Sequence, residues 1–271
     1  MKKDISTIIL VLVLLTGFTL LLYPTIRDYW NSLHQSQVIT GYATAVDELD
    51  SATYENLLLS AKQYNEELVT KKNRYHPSKE DSEKYYRLLD VSDNGIIGYI
   101  EIPTLKISLA IYHGVDEGVL QIAAGHIEGT SLPVGGPSTH TVISAHRGLP
   151  SAKLFTNLDK LVEGDLFMIR VLDETLTYEV DQIRIVLPNE IEDLEIEEGK
   201  DYTTLVTCTP YGVNSHRLLV RGHRVENQAS SASIRVTADA IQIDPILVAP
   251  LVALPMLLLL LILLLTRYRK H

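Results

Sequence analysis

Hydrophobic residues along this chain show three textures. At the two ends they run without charge, over 5–23 and 245–266. The first run follows Lys2 and Lys3, and the second is closed by Arg267, Arg269 and Lys270. At a rise of about 1.5 Å per residue, either run is long enough to cross a hydrocarbon core of roughly 30 Å. No small-x-small cleavage site follows the first run, so it predicts an uncleaved anchor rather than a signal peptide. Pro250 and Pro255 interrupt the second, but membrane helices tolerate proline. Basic residues flank the outer end of both runs, while Asp239 and Asp244 precede the second. This bias predicts cytoplasmic tails at 1–4 and 267–271 and a middle that lies outside the cell.

Between the anchors the pattern changes twice. Over 42–68 apolar residues recur at helical spacing (Tyr42, Val46, Leu49, then Leu57, Ala61, Tyr64, Leu68), which predicts one or two amphipathic helices with breaks at Gly41 and Asp50-Ser51. Residues 73–94 are polar and contain Pro77, as a connector would, with one short helix near 84–89. From Gly95 onward short β-branched and aromatic runs alternate with Gly, Pro, Asn and Asp. They predict strands at 96–102, 106–112, 139–144, 166–171, 175–185, 203–206 and 218–220. Short helices are expected near 119–124 and 152–161. The reading is a mainly β protein: a closed barrel of about eight strands over 95–225, preceded by a helical region and connector over 24–94. A linker at 226–244 leads to the second of two flanking transmembrane helices.

Composition narrows the function. A formal net charge of −10 over 271 residues offers no basic surface for phosphate, which argues against a nucleic-acid partner. The single cysteine, Cys208, excludes an internal disulfide and a cysteine-rich metal site. A lone cysteine is commonly core filler. Here it stands where an apolar strand gives way to the turn Thr209-Pro-Tyr-Gly-Val-Asn214, a place substrate can reach, and that favours a reactive thiol.

Such a thiol needs a base or cation nearby. His216, Arg217 and Arg221 follow it closely; His140 and His146 lie on and just beyond another strand, and Arg224 is a further cation. His140 and His146 share a strand face if the strand is regular, yet no third residue completes a metal set. Acyl transfer requires a nucleophile, a proton donor for the leaving amine and donors for an oxyanion. Cys208, His146 and one arginine would supply these. Periodicity does not choose among Arg217, Arg221 and Arg224, nor between His146, His140 and His216.

Two segments carry a resemblance. Ser144-Ala-His-Arg-Gly-Leu-Pro150 and Thr204-Leu-Val-Thr-Cys208-Thr-Pro-Tyr-Gly-Val-Asn-Ser-His-Arg217-Leu-Leu-Val-Arg-Gly222 resemble the signature stretches of sortases, nearest to the class C pilin polymerases. The resemblance spans most of 95–225. It implies Cys208 as nucleophile, His146 as general acid and base, and Arg217 as the donor to the substrate carbonyl and its oxyanion, with no cofactor and no metal. Arg221 and Arg224 then become surface charges, His140 a supporting residue and His216 a turn residue.

The implied reaction is attack of Cys208 on the Thr-Gly bond of an LPxTG-like sorting signal in a pilin subunit. A lysine of another pilin then resolves the thioacyl intermediate. Implied partners are pilin subunits and the lipid bilayer. Peptidoglycan precursor is the acceptor in the alternative reading, in which the enzyme anchors surface proteins or pili to the cell wall. A non-catalytic membrane-tethered assembly scaffold is the alternative of another class. One departure stands out. Many class C members carry an Asp-Pro-aromatic lid ahead of the barrel, and 71–94 contains no such triplet. The usual lid is expected to be absent, with Tyr75 or His76 as the candidates to take its place.

Overall fold

The computed structural model describes residues 2–149 and 152–227. Residues up to Trp30 belong to one compact unit and Asn31–Ile234 to another. In the first, the backbone is helical from Lys2, at the start of α1 (Lys2–Asp47). Among the described residues no helix is long and apolar enough to cross a membrane. The expected second anchor at 245–266 lies outside the described residues, as does most of the linker at 226–244.

In the second unit, α1 continues through Gly41 instead of breaking there. Near its end the Tyr42 hydroxyl donates to the Ile97 carbonyl at 3.2 Å and accepts the Leu172 N–H at 2.8 Å, so this buried tyrosine joins the helix to two edges of the barrel. Helix α2 (Ser51–Thr70) starts at Asp50, whose carboxylate accepts the Thr53 N–H at 2.9 Å, satisfying one of the orphan donors of the first turn. Ala61, Tyr64, Asn65 and Leu68 form its buried stripe at helical spacing. Asn65 both donates to the Leu132 carbonyl (3.0 Å) and accepts the Leu132 N–H (2.7 Å), fixing α2 against the loop that enters the fourth strand. Helix α3 (Lys79–Tyr85) begins at a Ser78/Asp81 capping box and lies ahead of the short helix expected near 84–89.

Eight strands then close a barrel: β1 (Ile96–Ile102), β2 (Ile107–His113), β3 (Ala124–His126), β4 (Thr139–Ser144), β5 (Leu166–Val171), β6 (Glu174–Val186), β7 (Asp201–Thr209) and β8 (His216–Val225). The order around the barrel is β1-β2-β3-β4-β7-β8-β6-β5. The pairs β2/β3 and β4/β7 are parallel, and the rest antiparallel. Side chains alternate between the two faces of each strand. Ile143, Leu205, Leu218 and Val220 belong to the main core with Ile100, Phe167 and Tyr178, whereas Val142, Val206 and Leu219 form a separate apolar cluster with Leu194. The latter set marks the outer face of β4, β7 and β8.

Two further expectations are corrected. Only Glu117–Leu120 is helical in the expected 119–124 helix; Ala124 instead opens β3, whose short pairing with β2 is a long-range contact that local pattern does not encode. In the expected 152–161 helix only Leu158–Lys160 forms a 3-10 turn, because the segment folds back onto the end of β4 through Phe155 N–H to His146 carbonyl (3.1 Å).

Candidate active site

Cys208 occupies the next-to-last position of β7 and is paired directly with Arg217 of β8. Residues directly opposite in an antiparallel pair project to the same face. By alternation from Val206 and Leu219, that face is the outer one. The turn between the strands carries Tyr211 and Val213, both well exposed.

His146 comes to the same place by a different route. The parallel register of β4 and β7 ends at Ser144↔Val206. Two residues beyond on each strand stand His146 and Cys208. The adjacency continues past the last ladder pair: Ala145 N–H donates to the Val206 carbonyl at 3.1 Å, and the Thr207 hydroxyl donates to the Ala145 carbonyl at 2.8 Å. The β4–β5 loop holds the histidine's backbone from the other side, through Phe155 N–H to His146 O and Gly148 N–H to the Thr156 hydroxyl at 3.1 Å. Cys208, His146 and Arg217 are all half-buried, reachable from solvent but not surrounded by it. Among the described residues the thiol makes no hydrogen bond to either partner.

The three candidate arginines differ in what they touch. Arg221 is bound by both oxygens of Asp181, at 3.0 and 3.1 Å, and lies 4.2 Å from the centre of the Tyr202 ring, so its charge is already spent on the barrel wall. Arg224 lies over Tyr178 and donates to the Thr175 carbonyl. Arg217 donates only to the carbonyls of Asn214 (3.2 Å) and His216 (3.1 Å) and meets no carboxylate among the described residues. Its guanidinium keeps donors and charge available to an incoming oxyanion.

The histidines separate as clearly. His140 is 1% exposed. Its Nδ1 donates to the Glu195 carbonyl at 2.8 Å, leaving Nε2 to accept the Thr204 hydroxyl at 2.7 Å, an arrangement that fixes a neutral imidazole. Burial holds its pKa down at about 4. It shares the outer face with the site, as strand alternation predicts, but is spent on the β6–β7 loop. His216 pairs with the Ser215 hydroxyl at the turn. No group of three or more potential metal ligands occurs among the described residues.

Three residues near the site escaped the sequence reading. Thr207 binds the backbone before His146, as above. Arg147 is 11% exposed, pairs with Asp159 at 2.8 Å and donates to the Thr209 hydroxyl at 3.3 Å, tying the turn after His146 to the residue after Cys208. Arg74, in the connector, reaches the β6–β7 loop. Arg147 stood inside a quoted motif and was legible in principle; Arg74 had no local signal. Tyr75, one of the two residues named as candidates for the place of the usual lid, takes Arg74 over its ring at 4.9 Å and donates its hydroxyl to the Leu194 carbonyl at 3.3 Å.

A closed barrel presenting a cysteine, a histidine and an arginine on one outer face defines a barrel-borne thiol site of the kind that suits acyl transfer. Residues 100–225 match the sortase domain family model. The structure is similar to the crystal structure of sortase C1 from Streptococcus agalactiae (50% identity, TM-score 0.69), covering 71% of this chain and 100% of that one. It is also similar to sortase C of Streptococcus pneumoniae, at 46% identity and a TM-score of 0.64 over 71% of this chain and 98% of that one. Sortase A of Streptococcus agalactiae serotype III (strain NEM316) is 32% identical over 117 residues, which are 42% of this chain. The chain therefore spans about half, 47%, of the length of that curated relative. The chain belongs to the sortase family, whose members are cysteine transpeptidases.

Proposed function

We propose that this chain is a pilin-polymerising transpeptidase. The Cys208 thiolate attacks the Thr-Gly carbonyl of an LPxTG-like sorting signal, forming the C–S bond. Arg217 donates to the resulting oxyanion. As the C–N bond breaks, its electron pair stays on the glycine nitrogen, which takes a proton from His146. A lysine amine of a second pilin then attacks the thioester, loses its proton to His146 and expels Cys208 as thiolate. The observation that carries this reading is the direct pairing of Cys208 with Arg217, at strand ends adjoining the segment that bears His146. The choice of pilins over wall precursor draws on the class C neighbours, one of which, the pneumococcal enzyme, is a structure described for its pilin substrate specificity.

The uncharged runs at 5–23 and 245–266, with basic residues at their outer ends, support a two-pass membrane protein with the barrel outside and both termini in the cytoplasm. Protease added to intact cells should remove the barrel and spare tags on both termini. A cleaved terminal tag would overturn that topology.

The test of activity uses the full chain in detergent, incubated with a Leu-Pro-x-Thr-Gly peptide. Intact-mass analysis should find the acyl fragment on Cys208, and C208A should carry none. A wild type with a verified free thiol and no adduct refutes the enzyme reading. Adding pilin or lipid-linked wall precursor in separate arms then decides the acceptor.

A further inference from the structure

The connector between α2 and α3 crosses to the face of the barrel that carries Cys208, and it does so through a buried charge. The Arg74 side chain is only 6% exposed. Its guanidinium pairs with Glu195 at 2.8 Å and donates to the Leu194 carbonyl at 3.2 Å and to the Tyr75 hydroxyl at 3.0 Å. The Tyr75 hydroxyl donates to the same Leu194 carbonyl at 3.3 Å. From the barrel side, His140 takes the neighbouring Glu195 carbonyl. Two successive carbonyls of the β6–β7 loop are thus held between a connector and a strand. Gly129, at φ +85°, lets the Arg74 backbone pass so close that any Cβ there would strike the Arg74 carbonyl.

The clamped loop matters because of where Leu194 sits. Its side chain packs on Val142, Val206 and Leu219, the outward residues two positions along each strand from Ser144, Cys208 and Arg217. The loop therefore covers the apolar cluster on the outer face that begins two residues along β7 and β8 from Cys208 and Arg217. Its only regular element is the 3-10 turn Glu192–Leu194, and apart from the His140 bond its link to β4 is at its far end, where Lys200 accepts the Thr139 N–H at 3.0 Å.

We infer that Arg74 is a positioning residue for substrate binding. With Tyr75 it locks the β6–β7 loop so that an extended acyl-donor peptide meets a preformed apolar wall beside Cys208. The assignment of that peptide rests on the transpeptidase reading, whereas the clamp does not.

The experiment separates the two. Hydrogen exchange on the full chain in detergent should show the amides of 192–196 exchanging at least about tenfold faster in R74A than in wild type, with β4, β7 and β8 unchanged. Y75F, which removes only a hydroxyl, should move the same amides in the same direction by less. Unchanged exchange in both variants overturns the clamp. In peptide cleavage, R74A should raise KM by about tenfold with kcat within about threefold, the signature of binding lost equally in ground and transition states. R74K should recover part of the loss through the Glu195 pair. A fall in kcat at constant KM, or unaltered kinetics despite a loosened loop, overturns the substrate part. Absence of cleavage by wild type counts against the transpeptidase reading alone, since the exchange result stands without it.

Discussion

Thr207 donates its hydroxyl to the Ala145 carbonyl at 2.8 Å across the ends of two parallel strands, one residue before Cys208 on one side and one before His146 on the other. Both members of the bond are buried. Replacing Thr207 with Val keeps the shape and leaves a buried carbonyl unpaired, at a cost of about 1–3 kcal/mol. The strand ends are then free to separate, and small misplacements of reacting groups are expensive. T207V should unfold at lower urea concentration and lose about tenfold to a hundredfold in kcat for peptide cleavage.

Arg217 and Arg221 make opposite predictions from similar positions. Both project from the outer face of β8, but Arg221 is bound by Asp181 while Arg217 meets only the backbone carbonyls of Asn214 and His216. R217A should keep its melting temperature and lose about 10²–10³ in kcat, the loss typical of a missing oxyanion donor. R221A should lose about 1–3 kcal/mol of stability, by breaking a charge-assisted pair, with little change in kcat. Chemical denaturation and steady-state cleavage on the two variants distinguish these roles. Equal kinetic losses would mean that the carbonyl donor has been misassigned.

Much of the barrel was readable because its strands are locally self-consistent. Ile96–Ile102, Thr139–Ser144 and Leu166–Val171 are β-branched runs bounded by turn residues, and the structure forms them with those bounds. The Cys208–Arg217 pairing was foreshadowed by a strand, a tight polar turn and another strand. The approach of His146 was not, since parallel β4/β7 pairing joins segments far apart in sequence; only the motif resemblance pointed to it. Ala124–His126 failed as a prediction because three residues carry no period, and the helical spacing of Val119, Leu120 and Ala123 dominated the window. Arg74 was invisible for a related reason: its partners Leu194 and Glu195 lie on a loop that no local rule connects to the connector.

Acid should destabilise this fold before its carboxylates titrate. His126 is fully buried: its Nε2 donates to the Ser131 carbonyl at 2.8 Å and its Nδ1 accepts from Tyr85 at 2.8 Å, so it is held neutral. Burial lowers its pKa to about 3, and that of His140 to about 4. In the unfolded chain both return to about 6.5. Below that value the unfolded state binds protons that the native state refuses. Stability therefore falls as pH drops from about 6.5 toward 4, by up to about 1.4 kcal/mol per unit for each histidine. Urea midpoints measured between pH 7 and pH 4.5 should decline, and H140Q should reduce the slope. A flat profile would mean that neither imidazole is held neutral.

Gly148 tests how closely the two turns at the site must meet. It lies two residues after His146 at φ +77°, and a Cβ on it would overlap the ring of Tyr211, which stands on the turn between Cys208 and Arg217. Tyr211 is 62% exposed, so its ring can swing aside at little cost. The backbone has no such escape, because an L-residue in the left-handed region pays about 1–2 kcal/mol. G148A should accordingly lose about that much stability, and adding Y211A should recover less than about 0.5 kcal/mol of it, the sites being nearly additive. Cleavage should follow a different rule. If Tyr211 merely passes over the glycine, Y211A alone leaves kcat unchanged. If its ring braces the His146 turn, Y211A lowers kcat and the double variant is no worse than G148A. Equilibrium unfolding and kcat on the four proteins of this cycle decide between a turn that needs only glycine's backbone and one that also needs the tyrosine resting on it.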